Sequence, residues 1–461
     1  MSLFKGKPLH RRALIKQSAL AALGSSSYSA LSTQFNLAHA QVGDADDYRA
    51  LVCVFLYGGN DAFNMLVPRS QSEYDVYANA RRNLATARED LLAISPLNSL
   101  PADYGLHPEL TSLKSLFDSG KLSLIGNVGT LIEPTLQSDY VNKRVELPPQ
   151  LFSHNDQQNF VMSLQATQER QGWASRIADI MMDANTNRNL AMNITLSGAN
   201  TLQTGGMTAP YALGAGGVNE YWSLQPGNPD AWSVNRNRAY DALLAQPQTH
   251  LFASEFAKTQ RRSIDLGVEL RAALENTAAP ATVFQQGSHL AGMLKMIAHL
   301  IAARETLGMR RQIFFVGIGD YDTHGDQVNR YPVLMRELNH ALASFYDATV
   351  ELGVSHQVTT FTASDFGRTL TSNGDGTDHG WGSHQMVMGD GVMGGRIFGT
   401  MPELAIGSND DIGEGRIIPT TSVDQYAATL ARWYGLSPSQ IADTFPSLAN
   451  FNSADIGFMQ I

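Results

Sequence analysis

Apolar positions along this chain fall into two rhythms. Arg49-Ala-Leu-Val-Cys-Val-Phe-Leu-Tyr57 is a nearly unbroken apolar run, rich in β-branched and aromatic residues, that stops at Gly58-Gly59-Asn60-Asp61. Continuous apolarity predicts a strand covered on both faces, as in a parallel sheet. Leu122-Ser-Leu-Ile-Gly126, Gln312-Ile-Phe-Phe-Val-Gly-Ile318 and Val358-Thr-Thr-Phe-Thr-Ala363 read the same way. The second rhythm is helical. Leucines at 110, 113 and 116 predict a helix over 107–118 that Gly120 stops. Tyr331, Leu334, Leu338, Leu342, Phe345 and Tyr346 mark one face of a helix over 328–352, with Gly353 just past its end.

The order strand, helix, strand across 311–363 is a crossover, so the two strands are expected to lie parallel. The polar loops after Ile318 and Ala363 then leave the same sheet edge, and Asp61 follows its strand directly. Open α/β sheets bind ligands at that edge. Residues 134–180 read as helical and loop segments and contain Ser153-His154-Asn155-Asp156. Residues 190–235, rich in Gly, Asn, Ser and Thr, read as an irregular or β-rich insertion whose Trp222 and Trp232 need burial. Residues 237–308 are helical, with Pro280 as a breaker. The segment of about 185–310 is expected to be an insertion or cap on one α/β core.

The first forty residues have a different character. They hold Lys5, Lys7, Arg11, Arg12 and Lys16 but no acidic residue. Arg11-Arg12 precedes a short Ala/Leu/Ser stretch, and Ala38-His39-Ala40 has the small-x-small form that a signal peptidase accepts. This is the order of a twin-arginine signal peptide over 1–40, with 41–461 as the mature domain. Export to the periplasm or beyond, with the twin-arginine translocase as partner, is the expectation.

The 461 residues carry a formal charge of −10. Without residues 1–40 the balance is 28 basic against 43 acidic residues, a formal −15. An acidic chain is a poor partner for nucleic acid. The one cysteine, Cys53, excludes an intrachain disulfide and a Cys-rich zinc site. No apolar run reaches the ~18 residues that span a bilayer.

The candidate chemistry lies in Asp61, Asp320, Asp322, His324, Asp365, Asp378, His379 and His384. These are carboxylates and imidazoles without a thiolate, a set that suits one or two divalent ions such as Zn, Mn, Mg or Ca. No G-x-S-x-G elbow, phosphate loop or dinucleotide fingerprint is present. Ser153 is the serine best placed beside a histidine, either as a nucleophile or as a helix cap.

Several motifs occur together: Gly58-Gly59-Asn60-Asp61, Leu106-His-Pro, Tyr321-Asp-Thr-His324, Ser364-Asp-Phe-Gly-Arg-Thr369, Gly376-Thr-Asp-His-Gly380 and Met393-Gly-Gly-Arg396. With the leader, they resemble the exported bacterial family known as domain of unknown function 1501, within the alkaline phosphatase and sulfatase-like superfamily. The resemblance implies an α/β three-layer sandwich with a central, mostly parallel sheet and an inserted cap. It implies metal ligation by Asp61, Asp322, His324, Asp365 and His379 or His384. It also implies hydrolysis of a phosphate or sulfate ester, in a small molecule or a polymer, with Ser153 or water attacking and Arg368 clamping the anion. Many superfamily members have Asp-His where this chain has Asp365-Phe366. The Cys-x-Pro-x-Arg signature of formylglycine sulfatases is absent, and Cys53 lies within a strand. The alternative is a fold-retaining envelope protein, a binding protein or an assembly partner of another envelope protein, that does no catalysis.

Overall fold

The computed structural model describes residues 47–165, 171–218 and 229–461. The segment 1–40 expected to be a leader, its expected cleavage site and Trp222 lie outside the described residues.

The strands are β1 (Arg49–Leu56), β2 (Leu66–Pro68), β3 (Leu92–Ile94), β4 (Tyr104–Leu106), β5 (Leu122–Gly129), β6 (Asn193–Thr195), β7 (Tyr211–Ala212), β8 (Arg311–Ile318), β9 (Val358–Ser364), β10 (Arg368–Ser372), β11 (Thr377–His379), β12 (Ser383–Met388), β13 (Ile397–Phe398) and β14 (Thr421–Ser422). The central sheet runs β13-β5-β12-β9-β1-β8-β6-β7, with β14 also on β5. β1 pairs in parallel with both β8 and β9. β6 is parallel to β8 and to β7. Only β12 runs against its neighbours β5 and β9. The protein is therefore a mixed α/β fold on a large, mostly parallel sheet.

The helices are α1 (Ala62–Met65), α2 (Gln71–Arg81), α3 (Thr111–Asp118), α4 (Gln137–Asn142), α5 (His154–Ser163), α6 (Trp173–Ile180), α7 (Ala231–Leu244), α8 (Leu251–Glu275), α9 (His289–Ala302), α10 (Gln327–Glu351), α11 (Val423–Tyr434) and α12 (Pro438–Thr444). The pleat of β1 shows how they form two layers. Successive strand side chains point to opposite faces. Ala50, Val52, Val54 and Leu56 join one apolar core with leucines of α3, α9 and α10. On the other face, Cys53 lies beside Phe361 of β9. The Phe361 ring meets Trp173 of α6 and Tyr426 of α11 at 5.9 and 6.1 Å. A strand buried on both faces needs apolar residues at every position, which accounts for the unbroken run in the sequence.

The expected crossover is present: β8, α10 and β9, with β1 lying between the two strands. Gly353 closes α10 at φ +68°, where a side chain would be strained. The 185–310 segment gives β6 and β7 to the sheet edge and adds α7, α8 and α9. Trp232 departs from expectation. It is 71% exposed on α7, with the Arg236 guanidinium 4.3 Å over its ring. The cation covers one face of the indole, so the residue does not need a core position. Among the described residues no helix is long and apolar enough to cross a membrane.

Candidate metal centre

Three parallel strands in the order β9-β1-β8 deliver their following loops to one sheet edge. The loops approach so closely that β1 must end in glycine. Gly58 has φ +114°, and a Cβ there would lie 2.3 Å from the backbone nitrogen of Asp322. Its N–H donates to Asp365 Oδ2 at 3.2 Å. One glycine thus ties the loop after β1 to those after β8 and β9.

Asp322 is the focus of the site. His324 Nε2 lies 3.1 Å and His379 Nε2 3.3 Å from its Oδ1, and His154 Nε2 lies 3.5 Å from its Oδ2. His324 and His379 bring their Nε2 atoms within 2.9 Å of each other. Ligand atoms of His154, Asp322 and His379 all lie within 4.8 Å of one another.

The outward nitrogen of each ring is held by an acceptor. His379 Nδ1 faces the Phe152 carbonyl at 2.7 Å. A carbonyl only accepts, so this nitrogen carries the proton and Nε2 of the neutral ring carries a lone pair. His154 Nδ1 donates to Asp365 Oδ2 at 2.7 Å, and His324 Nδ1 to Asp378 Oδ1 at 2.9 Å. All three rings therefore turn Nε2 inward toward one carboxylate. Outward anchoring of this kind fixes a metal-binding imidazole in its tautomer and orientation. Without a cation or a shared proton, the inward lone pairs face one another and an anion.

The charges follow from these contacts. The Asp365 hydrogen bond raises the His154 pKa against partial desolvation. Burial lowers that of His379, which keeps it neutral. Burial works to raise the Asp322 carboxyl, but Arg368, His324 and His154 together hold it below the usual range. At Asp378 the hydrogen bonds from Asn373 and His324 likewise outweigh desolvation.

Arg368 is fully buried beneath the cluster. Nη1 donates to Asp322 Oδ1 at 2.6 Å and to the Gly58 carbonyl at 3.1 Å, Nε to Thr377 Oγ1 at 3.2 Å, and Nη2 to the Thr377 carbonyl. A guanidinium has five N–H donors, and four are used within the protein. It positions Asp322 and is not poised as the expected anion clamp. Phe366 stands where a histidine was missed. It is buried against the rings of His154 and His379, at centroid distances of 4.9 and 4.7 Å, and forms an apolar wall.

Of the residues expected from sequence, Asp322, His324 and His379 come together here. Asp365 lies one step behind, receiving His154 Nδ1, Gly58 N–H and, at 2.9 Å, Gln158 Nε2 on its Oδ2. Asp61 does not join the cluster. It is wholly buried in an ion pair with Arg81 of α2 and accepts from Gln327 of α10. His384 stands apart too: its Nδ1 accepts from Asn127 N–H at 2.9 Å. Asp320 turns outward, 3.8 Å from Arg330. The Ser153 hydroxyl donates to Asp156 Oδ2 at 2.7 Å, inside the first turn of α5. Its neighbour His154, which the sequence suggested only as an ion-binding companion of Ser153 and not as one of the expected ligands, is the residue that joins the cluster. The only local hint was an imidazole at a helix start with Gln158 one turn on, both reaching Asp365.

Fold and cluster define a mixed α/β protein with an imidazole–carboxylate centre at the carboxyl edge of its sheet. The chain belongs to the family described as "Protein of unknown function (DUF1501)", whose model matches residues 48–445. Among curated proteins none matches. Solved structures with distant similarity include Ps i-CgsB in complex with k-i-k-neocarrahexaose, at TM-score 0.34 and 11% identity, covering 88% of this chain and 77% of that one. PsFucS1 sulfatase from Pseudoalteromonas sp. is similar at TM-score 0.35 and 9% identity, covering 94% and 77%. A Bacteroides thetaiotaomicron protein of glycosaminoglycan metabolism, BT33494S-sulf, is similar at TM-score 0.34 and 10% identity, covering 87% and 74%.

Proposed function

We propose that this protein is a metal-dependent hydrolase of phosphate or sulfate esters, exported by the twin-arginine route. The observation that carries the reading is the convergence of three inward Nε2 atoms, from His154, His324 and His379, on Asp322. Three imidazoles with one carboxylate suit Zn or Mn better than Mg or Ca, which prefer oxygen. The set supports one ion. Asp61 and His384, two further expected ligands, are used elsewhere, and Asp365, the aspartate expected at a second ion, holds the His154 ring.

A divalent ion held there supplies Lewis-acid chemistry, neutralising charge on an ester oxygen. The protein's part follows from its contacts. Arg368 fixes Asp322 from below, while Asp365, Asp378 and the Phe152 carbonyl hold the three rings. Phe366 excludes water from one side. The Ser153 hydroxyl is bound to Asp156, which favours water over a serine as the attacking group.

The same two facts, a tied Ser153 and a committed Arg368, favour the second reading: a non-catalytic envelope protein that keeps its metal. The test is metal content of protein purified without chelator, with turnover of p-nitrophenyl phosphate, bis-p-nitrophenyl phosphate and p-nitrophenyl sulfate. The hydrolase reading expects about one equivalent of metal and turnover of at least one ester, both lost in Asp322→Ala. Bound metal with no turnover of any ester supports the second reading. Turnover retained in metal-free Asp322→Ala overturns the first.

A further inference from the structure

A second cavity lies away from the centre, between the β2-β4 ribbon and the 401–405 loop. Its volume is about 400 Å³, within the range of small-molecule sites. None of its lining residues belongs to the imidazole cluster. The walls are apolar, among them Leu66, Tyr104, Met401 and Leu404. Charge is confined to Glu73 and Glu403, and Glu403 is exposed at the mouth.

One wall residue is chemically out of place. His384 is 1% exposed yet lines this cavity. Its Nδ1 accepts the Asn127 N–H at 2.9 Å, so the proton of the neutral ring is on Nε2. That N–H has no acceptor among the described residues. Phe63 packs edge-to-face on the ring with centroids 5.1 Å apart and holds its orientation. Burial lowers the pKa of His384 to about 3, so it remains an uncharged donor across the physiological range. The atom is not among the fully enclosed unpartnered ones, so it keeps accessible surface, and in an otherwise apolar wall a ligand oxygen is its best-matched partner.

We propose that this cavity binds a compact, uncharged, largely apolar molecule that presents one hydrogen-bond acceptor to His384 Nε2–H. The apolar walls select the body, the single donor selects a carbonyl, ether or hydroxyl oxygen, and the two glutamates reject anions. The site is independent of the ester chemistry proposed above.

Acetophenone, ethylbenzene and benzoate are suitable probes, with binding to the full chain followed by ligand-observed NMR. Acetophenone is expected to bind, ethylbenzene at least about tenfold more weakly, since a donor left unpaired costs that much, and benzoate not at all. His384→Phe should reduce the preference for acetophenone to near unity. Should that variant fail to fold, Val76→Trp fills the cavity from its exposed rim and should abolish binding. Equal binding of ethylbenzene, no binding of acetophenone, or full binding to Val76→Trp would overturn the proposal. Metal content of the same samples should not change, which separates this test from that of the hydrolase reading.

Discussion

Arg368 and Asp322 meet at 2.6 Å with opposite exposures: the guanidinium is wholly buried and the carboxylate side chain is 42% exposed. The arginine is a floor post whose other donors are fixed to Gly58 and Thr377, so it hands the carboxylate to the cluster at a set position. A lysine has no planar fork with which to reproduce these contacts. Arg368→Lys is therefore expected to weaken metal affinity by about 10- to 100-fold, the usual scale for loss of an orienting partner. Competition with a chromophoric chelator measures it. Unchanged affinity in a folded variant would remove Arg368 from the site.

Asp365 Oδ2 takes three donors while its Oδ1 is buried without a partner. The uneven loading identifies it as the holder of His154. In Asp365→Asn one of the two terminal atoms becomes a donor, and His154 loses a charged acceptor. Metal affinity is expected to fall by about 10- to 100-fold, and the His154 pKa should drop because its largest raising influence is the Asp365 hydrogen bond. NMR titration of the His154 ring reads the second effect. A His154 that titrates as in wild type contradicts the arrangement.

Asp61 tests the boundary of the site. Its partner Arg81 is fully buried, also donates to the Thr369 carbonyl at 3.1 Å, and has an Nε without an acceptor. Removing the anion leaves a buried cation uncompensated, which costs about 3–5 kcal/mol. Asp61→Asn should lower the denaturation midpoint on that scale while the folded fraction keeps full metal stoichiometry. Loss of metal without loss of stability would make Asp61 a ligand after all.

The contrast between Asp61 and His154 shows what local pattern carries. β1, β8 and β9 were readable because strands buried on both faces require apolar residues throughout, and their order along the chain put Asp322, His324 and Asp365 at one edge. Asp61 sits at that edge as well. What neutralises it is Arg81, one end of a helix twenty residues on, and no periodicity announces which way an arginine will turn. His154 reaches the cluster from the first turn of α5, across 168 residues from Asp322. Its sequence context was a helix start, and Ser153 and Asp156 do form that start. The second role is tertiary. His379 and His384 were equivalent in sequence, but they lie on different strands, β11 and β12, and β12 carries His384 into the core.

His107 links the fold to acid. Its pKa is lowered to about 4 by burial, against a raising influence from Glu109. Its Nδ1 accepts the Glu109 N–H at 3.2 Å, and the ring packs edge-to-face on Tyr331. A folded-state pKa below the unfolded 6.5 means that its contribution is complete above pH 6.5 and is lost as pH falls toward 4. The loss amounts to about 3 kcal/mol at 1.36 kcal/mol per unit. His107→Gln keeps an acceptor and cannot be protonated. Its unfolding free energy should fall less steeply than wild type between pH 6.5 and 4, and equal slopes would show that His107 does not govern this range.

Asp424 has the opposite sign. It sits in the first turn of α11, wholly buried, with Oδ1 unpartnered and a pKa raised to about 7. Desolvation is the largest cause, opposed by the Ser422 hydrogen bond and the charge of Arg176. Between pH 4 and 7 the folded state keeps a proton that the unfolded chain has released, so stability falls as pH rises through this window and stays low above it. Asp424→Asn removes the ionisation without changing the volume. The variant is expected to be more stable than wild type at pH 8, by about 2–4 kcal/mol on the linkage scale, and the difference should close below pH 5. Chemical denaturation at the two pH values decides the matter. A variant less stable at pH 8 would mean that the attraction to Arg176 outweighs the burial of the charge.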